Sequence, residues 1–127
     1  MASIEKIPPQ VEAKYRKFIQ ARELLEKVAQ ERALLEASLA EIDAIIEELN
    51  SLPEDSEIYK MKGIVLVKSN KEAVLKELNS KKESIELKLM ALRKQEESLQ
   101  KEVERLGKEL NQLLAKGTGG APVGGAG

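Results

Sequence analysis

The chain has 127 residues, of which 34% are charged and 2% aromatic, and its formal net charge is −1. So few aromatic residues are unusual for a globular core but common in long helices rich in Ala, Glu, Lys and Leu. Because cysteine and histidine are both absent, disulfides, the usual zinc sites and histidine-based catalysis are excluded.

The first predicted element is a helix over about residues 8–52. Pro8 and Pro9 suit the first turn of a helix. From Val11 onwards, apolar residues recur with a period of seven, as they do at the a and d positions of a coiled coil. The helix is expected to end near Leu52, because a residue that precedes a proline avoids the α region.

The second predicted element is a β-hairpin over about residues 57–69, with strands 58–62 and 64–68. Gly63 lies between the strands and accepts the positive φ of a tight turn. Residues 64–67 form an unbroken apolar run, so we expect the second strand to be buried on both faces. A lone hairpin is marginal in water. Another copy or a related subunit is therefore expected to pair with its edge, although a buried loop or a short helical segment is the alternative for this run.

A second helix is predicted over about residues 70–116. Ser69 and Glu72 have the spacing of a capping box, with Ser69 as the N-cap. Its d positions from residue 78 to residue 113 are all apolar, whereas Gly107 weakens the helix by about 1 kcal/mol relative to alanine. Gly117 is a plausible stop, and the glycine-rich residues 117–127 are expected to be disordered.

The two heptad patterns match when the chain is folded back on itself about residue 62. Phe18 then faces Leu106, and Ile46 faces Leu78, with a positions of one helix opposite d positions of the other. We therefore expect a mostly α fold that forms one domain over residues 1–127. It is a long antiparallel two-helix coiled coil joined by one central β-hairpin.

Several residues resemble the prefoldin family, and specifically its β-type subunits. The resemblance begins with the N-terminal sequence IPPQV and the sequence LPED that follows the first helix. Its most specific part is the pattern Y-K-x-x-G-x-V-L-V-K, which starts at Tyr59. One hairpin rather than two points to the β type.

The resemblance implies a hexamer of two α-type and four β-type subunits, whose hairpins assemble into a β-barrel body. It also implies an ATP-independent chaperone that captures unfolded proteins and delivers them to a group II chaperonin. The expected partners are therefore α-type subunits, other copies of this chain, unfolded clients and the chaperonin. The balanced charge favours neither nucleic acid nor a membrane, and the N-terminus has no apolar signal core, so we expect a cytoplasmic protein.

Two groups of apolar residues are the candidate sites. Subunit assembly is assigned to the hairpin residues Ile58, Tyr59, Met61, Ile64, Val65, Leu66 and Val67. Client binding is assigned to the coiled-coil tips, at Ile4, Ile7, Val11, Phe18, Leu106, Leu110, Leu113 and Leu114. The tip residues are exposed if the last turns of the helices separate, and the alternative is that they are ordinary residues of the helix seam.

No catalytic, metal or cofactor residues are predicted. Glu47-Glu48 and Glu96-Glu97 are paired carboxylates, but helices rich in Glu and Lys produce such pairs by chance, and no Gly-Lys-Ser/Thr phosphate loop is present. An enzyme is therefore not expected. The alternative function is that of a coiled-coil scaffold or adaptor that binds one folded partner.

Overall fold

A computed structural model describes residues 7–118 of the chain. It contains helix α1 (Pro9–Ser51), strands β1 (Ile58–Lys62) and β2 (Val65–Ser69), and helix α2 (Lys71–Thr118). The predicted fold class of two long helices joined by one antiparallel hairpin is confirmed. Ile4 and residues 119–127 lie outside the described residues.

The a and d positions of the two heptad patterns, which form the predicted seam between the helices, agree with the burial of the side chains. Every a and d position from Val11 to Leu49 in α1, and from Leu75 to Leu113 in α2, is buried or half-buried. This includes the two lysines of the seam, Lys14 and Lys82. The heptad pattern therefore identified the buried stripe of both helices correctly.

The chain divides into two compact units, and each contains a part of both helices. In the first unit, residues 1–30 with 93–127, Val11, Phe18 and Ala21 of α1 pack with Leu106 and Leu110 of α2. We call this group of five residues the terminal cluster. Burial of such side chains removes apolar surface from water and stabilises the helix pair.

The second unit, residues 31–92, contains the hairpin. Its hydrophobic cluster consists of Ile42 from α1 with Ile85 and Leu89 from α2. Nearby, Lys82 Nζ lies 2.7 Å from Asp43 Oδ1, and this hydrogen bond raises the pKa of Lys82. The seam lysine thus keeps its charge beside an apolar cluster, because a carboxylate on the other helix accepts a hydrogen bond from its ammonium group.

The turn of the hairpin corrects one prediction. Ile64 was expected to begin the second strand, but β2 begins at Val65 and Lys62 pairs directly with Val65. Gly63 has φ +60°, and Ile64 does not have a positive φ. Glycine with positive φ at the first central position is typical of a two-residue type II′ turn. Ile64 is therefore the second turn residue, and its side chain is 99% exposed.

The N-cap of α2 corrects another prediction. Ser69 is the last residue of β2, and the cap is Asn70, whose Oδ1 accepts a 2.8 Å hydrogen bond from the backbone N–H of Ala73. The Asn70 carbonyl also accepts the Val74 N–H at 3.1 Å. Asparagine is among the best N-cap residues, so it takes this place once the strand extends to Ser69. At its other end, α2 continues to Thr118, two residues beyond the predicted helix end at residue 116 and one beyond the predicted stop at Gly117.

Candidate functional site

The hairpin has apolar side chains on both faces. Directly opposite residues of an antiparallel pair point to the same face of the sheet. One face carries Met61 opposite Leu66 and Tyr59 opposite Lys68, while the other carries Lys60 opposite Val67 and Lys62 opposite Val65. The hairpin is therefore not amphipathic, and one covering layer cannot remove all of its apolar surface from water.

These side chains are exposed in the single chain. Met61 is 67% and Leu66 61% exposed, and Tyr59, Val65 and Val67 are exposed as well. Ile58, at the start of β1, is the buried residue of the predicted assembly group. Large apolar surface of this kind marks an interaction site in soluble proteins. The double-sided burial that was predicted for β2 is not reached within one chain, because Val65, Leu66 and Val67 all remain exposed.

Two lysines make tertiary contacts close to the hairpin within the second unit. Lys60 forms an ion pair with Glu77 of α2. Lys71 is buried, and its Nζ donates to the Leu52 carbonyl at 3.0 Å and to Glu54 Oε1 at 3.4 Å. The ammonium of Lys71 thus satisfies a backbone acceptor after the last turn of α1, where helices leave carbonyls without partners.

The terminal cluster holds four of the predicted client-binding residues, namely Val11, Phe18, Leu106 and Leu110. All four are buried, and Leu110 is only 1% exposed. Leu113 and Leu114 are half-buried against the cluster, whereas Ile7 is 63% exposed. In this state the cluster is a closed seam, so another chain reaches it only after the two helices separate.

Polar contacts border the terminal cluster. Lys14 Nζ lies 3.0 Å from Glu109 Oε2, and the guanidinium of Arg22 lies 5.6 Å from the centre of the Phe18 ring. The hydrogen bond from Lys14, with a further one from Arg105, lowers the pKa of Glu109. The charged pair joins the two helices and favours the closed arrangement, whereas Arg22 and Phe18 both lie in α1, so their contact stabilises the Phe18 ring on its own helix.

The structure brings together several residues that the sequence pattern does not predict. The pairing of Lys60 with Glu77 and the burial of Lys71 have no periodic signal, because each depends on how the hairpin folds back against the helices. The exposed apolar residues Leu34, Leu87 and Met90 were also not identified. They lie outside the a and d positions, and the three-residue spacing of Leu87 and Met90 on α2 is a helical signal that could have found that pair.

Residues 7–118 contain no group of three acidic, cysteine or histidine side chains placed to hold a metal ion. No helix in this part of the chain is long and apolar enough to cross a membrane.

Comparison with known proteins gives concordant matches. Residues 12–117 match the family model described as "Prefoldin subunit". Proteins called "Prefoldin subunit beta" from Saccharolobus islandicus are 43% identical over 112 residues, covering 88% of this chain and 89% of the relative. One from Sulfurisphaera tokodaii is 38% identical, covering 88% of this chain and 90% of the relative.

A solved structure is similar over most of both chains. The crystal structure of the prefoldin beta subunit from Thermococcus strain KS-1 superposes with a TM-score of 0.79 at 32% sequence identity. The match covers 87% of this chain and 97% of the other.

Proposed function

The chain belongs to the prefoldin family of chaperones, and we propose that it is a β-type subunit of a hexamer that holds unfolded proteins without ATP. In this proposal two α-type and four β-type subunits assemble through their hairpins into a β-barrel body. The assembly works in the cytoplasm and passes its clients to a group II chaperonin. No enzymatic step is involved.

The observation that carries the proposal is the exposure of the hairpin on both of its faces. A two-stranded sheet has two free edges, and each edge presents backbone N–H and C=O groups that another strand can pair with. Tyr59, Met61 and Leu66 add apolar side chains to these edges. Strand pairing at the edges and packing over the faces would bury this surface together, as the interior of a barrel requires.

Client capture is assigned to the terminal cluster and the residues around it. The cluster supplies apolar side chains, and each Å² of apolar surface that a client buries contributes about 25 cal/mol before the costs of ordering. Because the cluster is closed at rest, part of that gain is spent on separating the helices. A single subunit therefore binds a client weakly, and several subunits around one cavity increase the effective concentration of binding sites.

Release needs no nucleotide in this proposal. A weakly held client leaves for a chaperonin that binds it more tightly, so the direction of transfer follows from the difference between the two affinities.

The experiment that tests the function is suppression of aggregation. A chemically unfolded, unrelated enzyme is diluted into buffer containing this chain, with and without an α-type prefoldin subunit and without ATP. Light scattering reports aggregation, and sedimentation reports the mass of the complex. Suppression only with the α-type subunit, in a complex of about six chains, is the expected result. Suppression by this chain alone would keep the activity and remove the need for a partner. No suppression by a well-formed oligomer would favour a scaffold.

A second experiment tests whether the helices must separate near the terminal cluster. The chain contains no cysteine, so Lys14→Cys with Glu109→Cys creates two unique thiols where the native side chains meet at 3.0 Å. A cleavable bifunctional thiol linker then holds the helices together. We expect linked hexamers to lose capture and to regain it after cleavage.

The matched control is Asp43→Cys with Lys82→Cys, a pair that meets at 2.7 Å in the second unit. Linking it leaves the terminal cluster free to open. Equal loss of capture with both linked pairs would contradict the role of the terminal cluster.

A further inference from the structure

The two edges of the hairpin differ in charge. β1 carries Lys60 and Lys62 and no acidic residue, and both lysines point to the same face. β2 carries Lys68 alone, beyond the apolar residues Val65, Leu66 and Val67. The edge of β1 is therefore basic, whereas most of the β2 edge is apolar.

The free backbone groups of β1 follow from the register. Lys62 and Val65 flank a two-residue turn, so they exchange backbone hydrogen bonds, and the bonding alternates along the ladder. The N–H and C=O groups of Tyr59 and Met61 consequently point away from β2. A strand that adds to this edge pairs with these two residues, and its side chains lie next to Lys60 and Lys62 on one face.

The surroundings of Lys60 and Lys62 add to the positive charge. Lys60 is paired with Glu77. The hydrogen bond from Lys60 lowers the pKa of Glu77, and the charges of Lys62 and Lys81 act in the same direction. Three ammonium groups thus act on one carboxylate, so the charge of Glu77 does not balance both lysines of β1.

A second copy of the same chain is a poor partner for this edge. In an antiparallel two-fold pair that uses all five residues of β1, Lys60 faces Lys60 of the second copy, and Lys62 lies diagonal to it. If the register shifts by one residue toward the turn, so that Met61 faces Met61, Lys60 of each copy lies opposite Lys62 of the other. Like charges in directly opposite positions destabilise a sheet, and opposite charges stabilise it. On β2, by contrast, the full-length register places Lys68 opposite Leu66, so no lysines are directly opposite and Lys68 is only diagonal to its counterpart.

We propose that the β1 edge pairs with a strand of a different chain that carries acidic side chains, and that its lysines disfavour pairing with a second copy. This inference rests on the proposed function and adds the chemistry of the partner. The two lysines have two effects: they attract a strand with acidic side chains, and they repel the β1 strand of a second copy.

The test uses a charge-swapped copy of the chain as the acidic probe. The variant K60E/K62E/E77K replaces both β1 lysines by glutamate and reverses the internal pair with residue 77, so that its hairpin keeps an ion pair to α2. Wild type, variant and an equimolar mixture are compared by sedimentation at about 0.01 M and about 1 M NaCl, between which the screening length falls from roughly 30 Å to roughly 3 Å.

We expect the weight-average mass of the mixture at low salt to be about twice that of either protein alone, as a one-to-one pair requires. The increase should disappear at high salt. The matched control is Lys68→Glu, which changes a charge on the β2 edge of the same hairpin, and its mixture with wild type should gain no mass.

Three outcomes would overturn the inference. They are a mixture no heavier than its components at low salt, an increase that persists at high salt, and an equal increase with the Lys68→Glu control. None of them bears on the proposed function, which fails separately if hexamers with an α-type subunit do not suppress aggregation.

Discussion

Lys14 and Glu109 connect the two helices beside the terminal cluster, with Nζ 3.0 Å from Oε2. The pKa of Glu109 is lowered by this hydrogen bond from its ordinary value of 4.5. A carboxyl group with a lowered pKa stabilises the folded state above its ordinary pKa, and this stabilisation is lost as the pH falls through the lowered value.

The first prediction concerns acid. We expect the melting temperature of the chain to fall as the pH drops below about 4.5, and to fall less steeply in Glu109→Gln, which has no carboxyl group to protonate at this position. Circular dichroism at a series of pH values measures it. Glu104→Gln, at an exposed position of α2, is the control and should follow wild type. The same pH dependence in wild type and Glu109→Gln would show that the pair does not contribute.

The second prediction concerns the buried Lys71. Lys71→Met keeps most of the side-chain volume but leaves the Leu52 carbonyl without its 3.0 Å hydrogen bond. Loss of a buried partner costs about 1–3 kcal/mol, which chemical denaturation can measure. Lys76→Met, at an exposed position of α2, should change stability little. Equal effects of the two substitutions would contradict a special role for Lys71.

The third prediction separates two candidate caps. Asn70→Ala removes the 2.8 Å hydrogen bond to the Ala73 N–H and should cost about 1 kcal/mol of unfolding free energy. Ser69→Ala changes the neighbouring residue, which lies in β2, and should cost much less. The opposite ranking would restore Ser69 as the N-cap.

The fourth prediction concerns assembly. Val65 and Val67 are both exposed in the single chain, so Val65→Asp with Val67→Asp should leave the helix content unchanged in circular dichroism. Carboxylates cannot be buried cheaply in an interface, and sedimentation with an α-type subunit should show no hexamer. Leu87→Asp with Met90→Asp alters two exposed residues of α2 and serves as the control. A variant hairpin that still assembles would place the interface elsewhere.

The fifth prediction concerns Gly107. A Cβ atom at this position would lie 3.5 Å from Cε2 of Phe18, which is ordinary van der Waals contact. Gly107→Ala should therefore gain about 1 kcal/mol from helix propensity, observed as a higher melting temperature and slower amide exchange at Leu106 and Leu110. A lower melting temperature in Gly107→Ala would contradict this and would mean that the Phe18 ring packs against Gly107 too closely to admit a Cβ atom.

The features predicted correctly are those that a periodic pattern determines. The heptads located the buried stripe from Val11 to Leu113, because helix geometry returns each seventh residue to the same side. Gly63 located the turn, because few residues accept its positive φ. The position of Ile64 in the turn was not predicted, because it depends on the turn type. Ile64 continues the apolar run 64–67, so the sequence places it in the strand.

The features that the sequence could not supply depend on tertiary placement. Lys71 looks like any lysine in the first turn of a helix, and only the return of the chain beside Leu52 makes it a buried donor. The terminal residues were assigned as seam or as binding surface, and their burial identifies the seam as the state at rest. Whether clients bind there stays a prediction.

The exposed hairpin also has a consequence for the life of a newly made chain. Until a partner pairs with it, Tyr59, Met61 and Leu66 remain in water beside two unpaired strand edges. Such edges add to any compatible strand, including those of misfolded neighbours. Synthesis of this chain in excess over its partners would therefore lengthen its exposure to aggregation, so a cell gains from making the subunits in matched amounts.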